Sequence, residues 1–459
     1  MNVAAETVRF DRAMLDAEWV RVAQLVRLAE VARTGEGLDE AFSDQFNDGS
    51  KSVVAARRSG AWSGLTTLVP TEALTAITPT DIDILAVALA PEARPMLAGR
   101  IHSLQPQIGG PHPSLALLQE LLMLDSDAEV TQLFERLGPA APLVCFDLVR
   151  VDGDGAYQTV RASPRAVRAV LGRQTNLAPP PGAHLVTRRA PWDALILPET
   201  AHRSLRDFTA WIRRREQTIR EWGASPTGGP LALFSGPSGA GKSFAACVIA
   251  TELSRASDEP WALYALDLGR IMSKYVGETE QNLNALLDAL HGRHAVLQID
   301  EADGLLGKRG EVTDARDRYA NLEVSHMLSR FERHDGPVIL TTNLRSNIDA
   351  AFLRRFQLVV DFPAPDAAAR SALWAALLPP GAPREESVDL ESLGAAVRLS
   401  GGGIQNAATY AAILAAEADR PIGPPQLARA VWAELNKDNR QVRRSEIGFL
   451  SKFLKEADA

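Results

Sequence analysis

Cysteine is nearly absent: the 459 residues hold only Cys145 and Cys247, far apart in the chain. That scarcity excludes a disulfide framework and a four-cysteine zinc site, and it fits a reducing, cytoplasmic setting. Aromatic residues make up 6%, and no run of 18 apolar residues occurs, so no segment reads as a membrane span. The opening MNVAAETVRFDRAMLDAEW lacks the basic start and apolar stretch of a signal peptide. A basic excess is missing as well, with 49 Lys and Arg against 57 Asp and Glu, which removes nucleic acid as the default partner. What is present is a globular composition, 46% hydrophobic and 23% charged, sufficient for two or three domains with sizeable cores.

The spacing of Leu15, Trp19, Val22 and Val26 predicts a helix over residues 11–33, followed by a polar, Gly/Ser-rich segment at 34–65. ITPTDIDILAVALAPEA and HPSLALLQELLMLDSDAEVTQLFERL read as helices around a loop at Gly109-Gly110-Pro111, with Thr78 and Thr80 as candidate caps. LVCFDLVRV, Asp152-Gly153-Asp154-Gly155 and AYQTVRA then read as a β-hairpin. Helices followed by a hairpin describe a helical, winged-helix-like N-terminal domain over residues 1–185, its end marked by the linker LAPPPGAH. Apolar runs at Leu231–Phe234, Trp261–Leu266, Ala295–Ile299, Val338–Thr341 and Leu358–Phe362 alternate with helical stretches. This alternation predicts an α/β domain over residues 186–363, its parallel sheet flanked by helices. Four further helical segments predict a small helical lid and tail over residues 364–459.

The sharpest motif is Gly236-Pro237-Ser238-Gly239-Ala240-Gly241-Lys242-Ser243, a G-x-x-x-x-G-K-[ST] phosphate loop between the strand LALF and the helix FAACVIATEL. Its glycines let backbone N–H groups turn toward phosphates at a helix N-terminus, Lys242 reaches the β- and γ-phosphates, and the Ser243 hydroxyl ligates Mg²⁺. The strand Ala295–Ile299 delivers Asp300 and Glu301 to the C-terminal edge of the sheet. Asp300 suits indirect Mg²⁺ coordination, and Glu301 suits polarising an attacking water. ATP and Mg²⁺ are therefore the expected cofactors. Gln298, polar inside this strand, requires a hydrogen-bond partner.

GPSGAGKS, SKYVGETEQNL, VLQIDEADGLLGKR, ILTTNLRSNIDAAFLRRFQLVVDFPAPD and LSGGGIQNAA, in that order over about residues 188–435, resemble the AAA+ ATPases near the AAA clade. PWDALILPE, DARDRYANLEVSHMLSRFE and ITPTDIDILAVALAPEA extend the resemblance to bacterial AAA ATPases encoded with phage-tail-like contractile injection systems. The resemblance implies a P-loop AAA+ module with a helical lid, ATP hydrolysis, and a homo-oligomeric ring, a hexamer. It matches Asn343 to sensor 1, which helps position the hydrolytic water with Glu301. It matches Arg354 and Arg355 to the arginine-finger positions that complete a neighbouring subunit's site, the choice between the two remaining open. Lys274, Tyr275 and Val276 match the pore loop that grips an extended polypeptide. Gln405 stands where many relatives carry a sensor 2 arginine.

Together these features describe a ring-forming Mg²⁺-dependent ATPase that remodels or threads a protein client recognised through residues 1–185, with no membrane partner and nucleic acid disfavoured. The alternative is a nucleotide-dependent assembly factor or scaffold with slow hydrolysis, in which Tyr275 only packs at subunit contacts. Other motifs carry no chemistry. The Asp152–Gly155 turn lacks the following glutamate of a calcium loop, and His291 and His294 do not form H-E-x-x-H. Ile447-Gly448-Phe449 reads as helix packing rather than a peptidase-docking tripeptide, and Arg213-Arg214-Arg215 as a solvated helix face.

Overall fold

A computed structural model describes residues 10–35, 37, 40–153, 155–172, 179–224, 228–257, 260–266, 268–271, 278–303, 326–343, 348, 350–438 and 443–454. The chain forms two compact units, Met1–Ala178 and Pro179–Ala459.

In the first unit, α1 (Arg12–Thr34) starts at Asp11, whose carboxylate accepts from the Ala13 and Met14 amides at 3.0 and 3.3 Å, and ends at Gly35 with φ 72°. Its buried stripe contains Leu15, Trp19, Val22 and Val26, as the spacing requires. The segment read as a polar stretch instead forms α2 (Glu40–Arg58). Phe42 and Val53 share its inward face, and the polar residues that hid it cover the rest. At α3 (Pro79–Ala93), Thr78 is the cap and Asp81 completes a capping box, while Thr80 lies within the helix. The unit continues through α4 (Pro95–Leu104), α5 (Leu115–Leu121), α6 (Asp127–Arg136) and α7 (Pro142–Cys145). The expected hairpin is β1 (Val149–Asp152) paired antiparallel with β2 (Thr159–Ala162), and α8 (Pro164–Leu171) follows. Part of its first expected arm, residues 143–145, is helical, in a turn that starts with Pro142 at the first helical position, where its missing N–H costs nothing.

The second unit begins with β3 (Ala183–Leu185) and α9 (Glu199–Trp222), then β4 (Leu231–Ser235), α10 (Lys242–Ala256), β5 (Ala262–Leu266), β6 (Ala295–Ile299), β7 (Val338–Thr342) and β8 (Leu358–Asp361). The sheet order is β3-β5-β6-β7-β4-β8, with β3 antiparallel to β5 and the other pairings parallel. Because β3 joins this sheet, the break between units falls at 178/179 instead of the expected 185/186. β4, β6 and β7 are buried along their whole length, so their runs are mainly apolar. Leu231, Leu233, Leu297 and Leu340 pack with Phe331 and Phe352 on one side, and Ala232, Phe234, Val296 and Ile339 with Phe208, Val248 and Ile249 on the other. The helices Ala367–Leu377, Leu390–Ala396, Gly401–Glu417 and Pro424–Leu435 surround the fully buried Trp374 and form the lid. Ile447 and Leu450 enter the same core, so the Ile447-Gly448-Phe449 tripeptide is occupied by packing. No helix among the described residues is long and apolar enough to cross a membrane.

Candidate functional site

The phosphate loop leaves β4 and turns directly into α10, which starts at Lys242 with Gly241 as its N-cap and no side chain on its first amides. Gly239 adopts φ 74°, and a Cβ there would lie 2.6 Å from Ser400 Oγ, so only glycine fits. Gly236 approaches the end of β8 just as closely, with a Cβ position 2.1 Å from the Phe362 carbonyl oxygen.

Lys242 is 7% exposed, and its ammonium donates to the Gly236 carbonyl at 2.6 Å, the Pro237 carbonyl at 2.9 Å and Asn343 Oδ1 at 2.9 Å. All three of its N–H bonds are thereby used. Burial lowers the lysine's pKa, and the Asp303 and Asp300 carboxylates oppose that shift. The next residue, Ser243, donates through Oγ to Asp300 Oδ1 at 3.0 Å. Asp300 also accepts from Thr341 Oγ1 at 2.9 Å, and its second oxygen accepts from Gln298 Nε2 at 2.7 Å. The partner that the buried Gln298 required is thus Asp300.

Just past β6 the backbone bends sharply. Glu301 sits at φ 55°, unusual for a residue with a side chain, and its amide donates to Thr341 Oγ1 at 3.3 Å while the Ala302 amide donates to the Thr341 carbonyl at 2.9 Å. The turn exposes the Glu301 carboxylate along a cavity of about 470 Å³ shared with Ser243, Asp300, Gln298 and Arg188. Asp303 clasps the end of β7, accepting from Thr342 Oγ1 and from the Asn343 amide at 3.2 and 3.3 Å. Asn343 lines a second cavity of about 260 Å³ with Ser235, Gly236 and Phe362. Glu301 and Asn343 therefore line different cavities.

Arg355 is half-buried and pairs with Glu332 at 3.1 Å, whereas Arg354 is exposed, and neither lines these two cavities. Lys274, Tyr275 and Val276 lie outside the described residues. At the lid, Gln405 is exposed, and the contact with the phosphate loop is made by backbone: the Gly402 amide donates to the Gly239 carbonyl at 3.1 Å. Motif matching did not single out Thr341, Thr342 and Asp303; only their position at the ends of β7 and β6 could have flagged them.

A mostly parallel sheet with a phosphate loop at its C-terminal edge, two strand-end carboxylates beside it and a helical lid against it define an α/β P-loop module of the AAA+ fold. Residues 232–364 match the family described as ATPase family associated with various cellular activities (AAA), so this segment is an AAA ATPase domain. Human vacuolar protein sorting-associated protein 4A is 31% identical over 145 residues, covering 31% of this chain and 32% of that protein. An uncharacterized AAA family ATPase y4kL from Sinorhizobium fredii is 34% identical over 161 residues, covering 34% and 44%. The cell division cycle protein 48 homolog of Archaeoglobus fulgidus is 30% identical over 195 residues, covering 42% and 25%. The chain thus spans about a third of the length of the first of these relatives.

Proposed function

We propose that the chain is an ATP hydrolase that assembles as a ring, a hexamer, and spends the energy of hydrolysis on remodelling or threading a protein client. The observation that carries this reading is the joining of Lys242 and Ser243 to Asn343 and Asp300 at the C-terminal edge of the sheet. The residues present fit the expected cofactors: uncapped amides at the start of α10 and a buried ammonium suit the phosphates of ATP, and the paired hydroxyl and carboxylate oxygens suit Mg²⁺. When bound, Mg²⁺ would offset negative charge on the β- and γ-phosphates. Gly236, Pro237, Ser238, Gly239, Ala240 and Gly241 form the cradle. Lys242 holds the phosphates, and Ser243 and Asp300 hold the metal. Glu301 takes the proton of the attacking water and Asn343 orients it. Arg354 or Arg355 serves the adjoining subunit's site.

The client-binding role of residues 1–185 and the grip of Lys274, Tyr275 and Val276 rest on the sequence resemblance. So does the narrower likeness to bacterial AAA ATPases encoded with phage-tail-like contractile injection systems. The cytoplasmic setting rests on the two unpaired cysteines.

Glu301→Gln tests the reading. It should keep ATP binding while lowering turnover by orders of magnitude, because the cradle and Asp300 survive and only proton acceptance is lost. Turnover equal to the parent's would remove Glu301 from the mechanism. Tyr275→Ala separates motor from scaffold: a motor keeps nucleotide binding and ring assembly but loses client remodelling, because only the aromatic grip is deleted. Unchanged remodelling would favour the scaffold.

A further inference from the structure

Gln298 is the one polar residue of β6, whose five residues are all buried, and it is itself 2% exposed. In register it lies between Ala265 of β5 and Ile339 of β7, deep in the sheet. An apolar side chain would fill that place without the cost of desolvating an amide. Residues two apart on a strand share a face, so Gln298 points the same way as Asp300, and its Nε2 reaches Asp300 Oδ2 at 2.7 Å. The other carboxylate oxygen takes Ser243 Oγ at 3.0 Å and Thr341 Oγ1 at 2.9 Å. With both oxygens held, the carboxylate cannot rotate about its Cβ–Cγ bond without breaking a hydrogen bond. Gln298 also lines the cavity of about 470 Å³ that Ser243, Asp300 and Glu301 share, so the amide stands beside the metal-holding pair.

We infer that Gln298 is a positioning residue for the metal site, anchoring Asp300 Oδ2 so that Oδ1 stays aimed at Ser243. The inference rests on the proposal that Ser243 and Asp300 hold Mg²⁺. It adds that the affinity for Mg²⁺ is set by an amide that touches neither metal nor nucleotide. Partners of metal-holding side chains commonly change metal affinity about 10–100-fold when removed.

The test is equilibrium binding of a fluorescent ATP analogue to the full-length chain, in excess EDTA and over a Mg²⁺ titration, for the parent, Gln298→Leu and Gln298→Met, with Tm recorded for each. Both variants should bind the analogue in EDTA as the parent does and keep its Tm within a few degrees. They should need about tenfold more Mg²⁺, or beyond, to reach the strengthened, metal-dependent binding. Under saturating Mg²⁺ their turnover should return toward the parent's. An unchanged Mg²⁺ midpoint in either folded variant overturns the inference and leaves the ATPase reading intact. Equal losses in EDTA and in Mg²⁺, or failure of both variants to fold, overturn it too, because they describe a role in packing. If the parent binds no nucleotide at all, the ATPase reading fails, and the inference with it.

Discussion

Lys242 Nζ donates to Asn343 Oδ1 at 2.9 Å, tying the phosphate loop to the end of β7 across 101 positions of sequence. On the proposed function the two residues have separable duties. Lys242→Ala removes a buried cation aimed at the loop and should weaken nucleotide binding about tenfold or more, a charge-assisted hydrogen bond contributing about 1.5–3 kcal/mol. Asn343→Ala leaves the cation in place and should alter binding only a few-fold while turnover falls strongly. Paired measurements of Kd and kcat check this; equal effects on Kd would merge the two roles.

The two adjacent arginines should behave differently. Arg355 already has Glu332 at 3.1 Å, while Arg354 is exposed with its guanidinium available to a neighbouring chain. Arg354→Ala should bind ATP normally, hydrolyse it poorly, and regain activity when mixed with Lys242→Ala subunits, since each supplies what the other lacks. Arg355→Ala should lose only a partly exposed ion pair, at most about 1 kcal/mol of stability. A mixing experiment in which Arg355→Ala is rescued and Arg354→Ala is unaffected would reverse the assignment.

Gly239→Ala joins two penalties in one methyl group. The position has φ 74°, and the added carbon would lie 2.6 Å from Ser400 Oγ and 3.1 Å from the Gly402 nitrogen. Strained backbone of this kind costs about 1–3 kcal/mol, and relief requires the lid helix to withdraw from the loop. The expected result is a lower Tm and weakened nucleotide binding together, read by calorimetry and titration. Parent-like values for both would show that the lid contact is dispensable.

His334, 7% exposed between the helical residues 326–333 and β7, should make this region acid-sensitive. Burial pushes its pKa down from 6.5 to about 4; Asp335 acts against the shift, and His291, Arg330 and Arg215 act with it. Between those two values the unfolded chain binds a proton that the folded chain refuses. Stability is therefore intact above about pH 6.5 and is lost as the pH falls toward 4, by about 3 kcal/mol when fully developed. Hydrogen exchange of the Val338–Thr342 amides at pH 7 and pH 5 should record the loss, corrected for the intrinsic pH dependence of exchange, and His334→Gln should flatten it. An equal pH response in the variant would assign the acid sensitivity elsewhere.

β4 to β8 were legible because burial demands mainly apolar runs, whereas β3, largely exposed, was hidden in the segment read as a linker; the phosphate loop was legible because its glycines, lysine and serine are each required by geometry. Lys242, Ser243, Asp300 and Asn343 could be matched to motifs one by one, but their mutual hydrogen bonds depend on β4, β6 and β7 lying side by side, an order the chain does not spell out. Thr341 and Asp303 were invisible for the same reason: each looks ordinary until the neighbouring strand arrives. Gln298 showed the opposite pattern, since a buried amide announces that a partner exists without saying which. The helix α2 was missed because only one narrow face of it, marked by Phe42 and Val53, meets the core.

The antiparallel ladder between β3 and β5 has a mechanical consequence. Ala183 pairs with Leu266 and Leu185 with Tyr264, so the tether that follows the N-terminal unit is stitched onto the strand that leads, beyond Leu266, into the stretch containing Tyr275. The ladder's hydrogen bonds run across the strands, and a pull along the tether loads them together in shear rather than opening them one by one. By occupying the outer side of β5, β3 closes that edge of the sheet to pairing with any other strand.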